Sequence, residues 1–291
     1  MKIYRRYIAV LLCITMLGTM TACGSGETET TKNGFEIKTE GDKKIVTFVD
    51  ALGEVHGMTL NSEADMHDYD VDAFVRDGDK MTYTDSSAYT YRLGVDVSEH
   101  QGTINWNQVK EAGYEFAFIR IAYRGYTEGG LFDDAYYQQN IEGALAAGLE
   151  VGVYVFAQAV NETEAVEEAQ RVLDNLKGYN ITGPIVYDPE SILDAESRTD
   201  DVTGEQFTKN TIAFCEKVKE AGYTPMIYAN MMWEAYKFDL TKLSDYEFWY
   251  ADYESQPQTP YDFTYWQYTE SGTVPGIPGS ADLNIQMIPV E

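Results

Sequence analysis

From residue 92 onward the chain alternates apolar runs with amphipathic ones. Strand-like runs stand at 93–98 (LGVDVS), 116–123 (FAFIRIAY), 151–158 (VGVYVFAQ), 184–190 (PIVYDPE) and 225–230 (PMIYAN). Three more follow at 247–253 (EFWYADY), 263–269 (FTYWQYT) and 281–286 (ADLNIQ). Between the first five, helical periodicity covers 106–112, 133–147, 162–177 and 205–221. Three of these helices stop at a glycine followed at once by a strand, in EAGY (111–114), AAGL (146–149) and EAGY (220–223). Asn161 with Glu164 gives the helix at 162 a start resembling a capping box. Strands alternating with helices predict a parallel sheet. Eight strands in roughly 200 residues predict its closure into an α/β barrel. Little helix separates the last three strands, so the helical ring is expected to be incomplete, with about five helices. Before residue 92 the pattern changes to short extended runs between 43 and 91, broken by Gly, Asn and Asp. A tight turn at DGDK lies among them, and together they predict a small β-rich segment.

Alternation also aims the acids. Residues i and i+2 of a strand share a face, so Val186, Asp188 and Glu190 project together while Ile185 and Tyr187 face the other way. Likewise Gly94, Asp96 and Ser98 face inward from 93–98, opposite Leu93, Val95 and Val97, and Asp282 and Asn284 share a face in ADLN. Functional groups of such barrels gather at the C-terminal ends of the strands. Asp96, Asp188, Glu190 and Asp282 are therefore expected to converge on one mouth. Singly, each has a plainer reading: Asp188 as an Asx turn into Pro189, Asp96 as a satisfied barrel acid. Ser98 reads as the cap of a short helix.

The first residues, MKIYRRYIAVLLCITMLGTMTACGSGE, change the picture of where the domain resides. Lys2, Arg5 and Arg6 precede an apolar run at 8–17, and small residues precede Cys23. This reads as a secretory signal over 1–22, too short to span a membrane. The polar tract 23–42 is expected to be a disordered acidic linker. The chain carries a net charge of −27, and loss of residues 1–22, which hold three basic residues and no acid, takes it to −30. Such a chain excludes binding to nucleic acid or an anionic membrane surface through its own charge. Cys13 lies in the signal, and Cys215 sits in a helical pattern as a small buried hydrophobe. His56, His67 and His100 show no ligand spacing, so no zinc site is expected. The glycine-rich YRGYTEGG (123–130) lacks the Lys-Ser/Thr pair of a phosphate loop.

The motifs GVDVSEHQGTINWNQVKEAG (94–113), FAFIRIAYRGYTEGG (116–130), NIEGALAAGLEVGVYVFAQ (140–158), PIVYDPE, WYADY, YWQYTESGTVPGIPG and ADLN, in this order, resemble glycoside hydrolase family 25, the Chalaropsis-type lysozymes. The resemblance implies an incomplete β/α barrel over 92–291. It also implies hydrolysis of the β-1,4 bond between N-acetylmuramic acid and N-acetylglucosamine in peptidoglycan, by a monomer without metal or cofactor. Carried over by motif, Glu190 is the general acid, and Asp188, Asp96 and Asp282 complete the acidic cluster. Tyr154, Tyr228, Trp249 and Trp266 lie at family positions for a sugar-stacking platform, and Gln267 for a hydrogen bond to a sugar. Glycoside cleavage needs one protonated carboxyl and one carboxylate, and like charges held close raise one pKa. Whether Asp188 acts as nucleophile, as base for water, or by orienting the substrate's N-acetyl group stays open.

The N-terminus in turn resembles a bacterial lipobox, with Met20 where Leu is preferred. That resemblance implies a lipidated Cys23 and an extracytoplasmic, membrane-anchored protein. Pro189 departs from the family pattern, which has an aromatic or aliphatic residue between the two acids. It is expected to bend the strand end or to follow a cis peptide bond. Two alternatives therefore stand beside the muramidase: a non-catalytic glycan-binding lipoprotein of the cell wall, and a related barrel glycosidase acting on chitin-like chains.

Overall fold

A computed structural model of the chain describes residues 28–31, 35–192 and 195–290. The signal sequence, Cys13 and Cys23 lie outside the described residues. Eight strands form the barrel: β1 (Tyr89–Val97), β2 (Phe116–Arg124), β3 (Glu150–Ala157), β4 (Ile185–Pro189), β5 (Pro225–Asn230), β6 (Glu247–Ala251), β7 (Tyr265–Gly272) and β8 (Ala281–Pro289). Five α-helices accompany them: α1 (Trp106–Glu111), α2 (Tyr137–Ala146), α3 (Glu162–Asn175), α4 (Gly204–Glu220) and α5 (Met231–Tyr236). The fifth, unmarked in the sequence, is a six-residue turn that starts directly from β5. Asn230 caps it by accepting from the Met232 and Trp233 amides. Gly113, Gly148 and Gly222 follow α1, α2 and α4 in the left-handed conformation, at φ of +92°, +77° and +87°. The glycine punctuation therefore acts as expected.

Strand order around the barrel is β3-β4-β5-β6-β7-β8-β1-β2, and β2 pairs back onto β3 to close it. Neighbours from β1 to β7 are parallel, but β8 runs antiparallel to both β7 and β1. The wholly parallel sheet expected from alternation is thus corrected at its last strand. The reason lies in the connection: residues 273–280 hold no helix, and a crossover between parallel strands needs a dozen or more residues.

Inside the barrel, Phe116, Phe118, Val186, Met226, Tyr228, Trp249, Ala251 and Tyr265 pack as one apolar layer. These are the i, i+2 positions of the strands, and their outward neighbours form the larger core beneath the helices. Gly94 stands opposite Phe116, and Gly152 opposite Phe118. A Cβ at Gly94 would lie 2.2 Å from the Phe116 ring, so glycine there is what lets the ring cross the barrel axis. At the N-terminal end of the parallel strands, the Arg92 guanidinium bonds Gln286 and Glu150 and closes the floor.

The segment before the barrel is a four-stranded antiparallel sheet (Thr28–Thr30, Glu36–Glu40, Lys43–Val49, Val55–Thr59) and a hairpin, Phe74–Asp77 with Lys80–Tyr83. Its turn at Gly78 has φ +62°, as DGDK predicts. Two of the strands fall within the tract read as linker, and there the expectation of disorder is corrected. Ile37 gives that polar strand one buried anchor, paired in register with Val46.

This segment covers the side of the barrel that lacks helices. Phe74 meets the Trp266 ring edge-on at 5.2 Å, Tyr69 meets Phe263 at 5.0 Å, and Arg76 lies over Tyr268 at 5.4 Å. The Tyr69 hydroxyl donates to the Phe263 carbonyl, and Arg76 Nη2 to that of Tyr268, both at 2.6 Å. The buried side chains of segment and barrel form one continuous core. Phe74→Ala should therefore cost about 3–5 kcal/mol, read as a lower urea midpoint at unchanged slope. Val75→Ala, on the exposed face of the same hairpin, should stay within about 0.5 kcal/mol of the parent.

Candidate active site

The C-terminal ends of the parallel strands open into a cavity of about 240 Å³ lined by Ser98, Arg120, Tyr154, Phe156, Asp188, Glu190 and Asp282, with His100 and Gln101 at the rim. Three of the predicted acids line it, and the fourth, Asp96, joins them through its contact with Asp282. Asp96 and Asp282 face each other across the β1–β8 ladder and are hydrogen-bonded carboxyl to carboxyl. Asp188 and Glu190, one strand repeat apart on β4 and the residue after it, form a second such pair.

Burial dominates their electrostatics. Desolvation lifts Asp188 well above the ordinary carboxylate range, with the charges of Glu190 and Asp96 adding to it. It raises Glu190 to about 7, helped by the charge of Asp96. Asp282 is pushed to about 9 by desolvation and then by Asp96. Asp96 rises less, to about 6, because Asn284 and Gln267 donate to it. Each pair accordingly holds one proton near neutrality, as two carboxyls in contact cannot both ionise.

The amides that serve Asp96 are themselves fixed. Gln267 Nε2 and Asn284 Nδ2 donate to Asp96 Oδ2 at 2.9 and 2.8 Å. The Asn284 oxygen accepts the Trp249 indole N–H at 2.7 Å, and the Gln267 oxygen accepts the hydroxyls of Tyr228 at 3.2 Å and Tyr253 at 2.9 Å. Both amides are thereby oriented with nitrogen toward Asp96. The residues expected to bind sugar thus divide. Tyr154 lines the cavity, whereas Tyr228, Trp249 and Gln267 lie beneath it, bonded to the acids or to the amides that hold them. Trp266 is corrected outright. It is fully buried on the outward face of β7 against Phe74, its indole N–H donating to the Asp252 carbonyl at 2.8 Å, and it has no face to offer a ligand.

Arg120 is the cation that sequence reading missed. It follows Phe116 and Phe118 on the inward face of β2, so the same alternation that aimed the acids would have found it. Its Nε donates to the buried Asp134 at 2.9 Å, and Nη2 lies 3.5 Å from Glu99. Held there, it favours the charged forms of Asp188 and Glu190. Ser98 caps the short 3₁₀ turn Glu99–Gln101, accepting from the His100 amide, which is its plainer reading.

Behind Glu190 stands Gln158, also unmarked in the sequence. Its Nε2 donates to the Glu190 carbonyl at 2.8 Å, while its oxygen accepts from the Ser197 and Thr199 hydroxyls at 2.9 and 3.0 Å. Pro189 does not disturb this aim. The described peptide bonds, the one before Pro189 included, are all trans. The register of β4 with β5 ends at Tyr187, two residues before the missing N–H.

Comparison with known proteins identifies the family. The profile described as Glycosyl hydrolases family 25 matches residues 95–277. The chain is 30% identical to an autolytic lysozyme of Clostridium acetobutylicum over 66% of its length, and spans 54% of that relative. It is equally 30% identical to Lysozyme M1 of Streptomyces globisporus, with 66% of each chain covered. A crystal structure of a bacterial lysozyme from Streptomyces coelicolor superposes with a TM-score of 0.55 at 27% identity, over 69% of this chain and 92% of that one.

The raised carboxyls carry a stability cost of definite sign. An acid whose folded pKa lies above its unfolded value binds more protons in the native state, so stability falls as pH rises through that interval. Asp282→Asn keeps a donor toward Asp96 and removes the titration. It should raise the melting temperature at pH 8 by about 3 °C or more, and by distinctly less at pH 4, in paired calorimetric scans.

Proposed function

The chain belongs to glycosyl hydrolase family 25, and on that footing we propose that it is a muramidase, cleaving the β-1,4 bond between N-acetylmuramic acid and N-acetylglucosamine in peptidoglycan. The observation that carries this reading is the proton-sharing pair Asp188–Glu190 at the barrel mouth, with Asp188 Oδ1 buried and without a hydrogen-bond partner among the described residues. A buried acceptor left open beside an acid is a place for a substrate N–H. The acetamido N–H of the sugar supplies one. Donation to Asp188 favours its carboxylate form, and the shared proton then resides on Glu190, where the leaving oxygen needs it.

Contact between the two carboxyls is closer than the roughly 5–5.5 Å of a retaining pair or the 6.5–9.5 Å of an inverting one. Of the three roles open to Asp188, orientation of the N-acetyl group suits that spacing. In this mechanism the acetamido oxygen bonds the anomeric carbon as Glu190 protonates the departing 4-oxygen. Glu190, now a carboxylate, then takes a proton from the water that attacks the same carbon and releases the acetamido group. The second pair, Asp96–Asp282, faces the developing positive charge, and Arg120 offsets the negative charge left on the cluster. Tyr154 offers the sugar an aromatic wall.

Lipidation at Cys23, which lies outside the described residues, belongs to the same reading. It would tether the barrel beside the wall as an extracytoplasmic lipoprotein, acting there as a monomer. The sequence MTAC ahead of a polar tract supports this.

Glu190→Gln should lower kcat by about 10²–10⁴-fold. The check is digestion of purified peptidoglycan, borohydride reduction and mass spectrometry, with muramitol ends from the parent and none above background from the variant. Parallel digestion of N-acetylglucosamine polymers separates the chitin-type alternative, and wall binding without new reducing ends would support the non-catalytic one. Because the active form is the pair holding one proton, kcat/KM should rise as pH climbs through about 7, where the first of the two protons leaves, and decline only well above it, where the second is lost.

A further inference from the structure

The segment before the barrel contributes no acid to the cluster, and the family match begins only at residue 95. Yet a continuous line of hydrogen bonds runs from it to Asp96. It starts at Val49, whose backbone is gripped by one side chain as if by a neighbouring strand. The Val49 N–H donates to Gln258 Oε1 at 2.7 Å, and Gln258 Nε2 donates to the Val49 carbonyl at 2.9 Å. The same Nε2 reaches Asp252 Oδ1 at 3.2 Å, while the Gln258 backbone N–H donates to Asp252 Oδ2 at 2.9 Å. Tyr250 and the Glu254 amide fix that carboxylate further, at 2.7 and 3.0 Å. The Asp252 N–H in turn donates to the Gln267 carbonyl at 3.1 Å. Next along the chain, Tyr253 donates its hydroxyl to Gln267 Oε1, and Gln267 Nε2 donates to Asp96, each at 2.9 Å.

We propose that Gln258 is a positioning residue: through it the N-terminal sheet holds the 252–258 loop, and with it Tyr253 and the Gln267 amide, against Asp96. The inference rests on the glycosidase reading of the site. Residues 252–264 contain no helix or ladder strand, and a connection of that length stays ordered only where it is tied. The segment before the barrel supplies ties along it. Beside the Val49 clamp, Gln256 Nε2 donates to Asp72 at 2.9 Å, His67 bonds the Thr259 carbonyl at 2.9 Å, and the Asp262 amide donates to the Asp65 carbonyl at 3.1 Å. Of these, the Gln258 clamp is the one that continues into the site.

Its release would free Tyr253 from the Gln267 oxygen and let the amide turn, leaving Asp96 with one of its two amide donors. Asp96 faces Asp282 from β8, Asp188 and Glu190 from the end of β4, Tyr154 from β3, Tyr228 from β5 and Tyr253 from the loop. In that company a lost donor disfavours its carboxylate, so it should ionise at higher pH.

The test uses the full chain and two variants. Gln258→Leu removes every polar atom of the clamp at similar size. Gln258→Glu keeps an acceptor for the Val49 N–H but cannot donate to the Val49 carbonyl or to Asp252, and it remains informative if the leucine variant does not fold. Tyr236→Phe is the control, since it removes a bond from the Tyr236 hydroxyl to the Gly57 carbonyl and loosens the same sheet away from the loop. On glycan fragments, both Gln258 variants should lose about 10- to 100-fold in kcat with KM within about twofold. The acid limb of the pH profile should move upward, and Tyr236→Phe should match the parent. Parent-like kcat and pH profile in both variants would overturn the proposal. So would an equal loss in Tyr236→Phe, which would mean that mere docking of the sheet is what matters. If the parent itself cleaves nothing, the muramidase reading fails separately, and the ¹³C titration midpoint of the Asp96 carboxyl, higher in the variants or unchanged, still decides the role of Gln258.

Discussion

Four carboxyls can share a desolvated barrel end only if two of them keep their protons and fixed donors meet the remaining charge. Much else in the molecule follows from that constraint. Asp96 and Asp282 sit opposite one another in register, Asp188 and Glu190 one repeat apart, so the protons are shared within pairs rather than spread over the cluster. The apolar layer of Phe118, Trp249 and Tyr265 below them keeps water from relieving the repulsion. The two amides answer it, and Trp249, Tyr228 and Tyr253 determine which way those amides face. Aromatic residues here act chiefly through one polar atom each, with the ring as a spacer. A site of this kind stores unfavourable energy that the rest of the fold must offset, as strained and like-charged functional sites commonly do.

The offset comes largely from the outside of the barrel. Helices α1 to α4 cover the parallel strands, but among the described residues no helix packs broadly on β7 and β8. The sheet and hairpin before the barrel take that place, with Tyr69, Phe74 and Tyr83 packed in edge-to-face contacts toward Trp266 and Phe263. Edge-to-face aromatic packing gives up little side-chain entropy for the area it covers. The closing strand β8 reverses direction because its connection is short, and this reversal brings Asp282, the second residue of the strand, to the mouth. The usual rule would have put functional groups at a strand's far end.

That reversal marks where the sequence ceased to be legible. Strand existence, the inward set Gly94, Asp96, Asp188 and Glu190, and the helix-ending glycines all follow from periodicities of 2 and 3.6, which are local properties of the chain. The antiparallel course of β8 follows from the length of its connection, which is seen to be too short for a crossover only once β7 runs on to Gly272. Trp266 was misjudged for a related reason. It alternates correctly with Gln267, but which face of β7 was the wet one depended on a partner some two hundred residues earlier in the chain. Arg120 lies within reach of the alternation argument, two residues on from Phe118 along the inward face. Gln158 and Gln258 gave no signal, for a side-chain amide reveals its role only through what it touches. Phe35 and Ile37, two apolar residues in a polar tract, make too sparse a pattern to mark a strand.

The hydrophobic seam between the leading sheet and β7 bears on how such chains are assembled over evolutionary time. The family profile begins at residue 95, within β1, yet no physical border exists there. A cut at that point would divide a strand paired with β8 along its length and strip the cover from Trp266, Tyr268 and Phe263, all buried. The unit that the family profile defines and the foldable unit are therefore different lengths of this chain. With the outer face of β7 turned aromatic, the leading sheet that covers it cannot easily be shed.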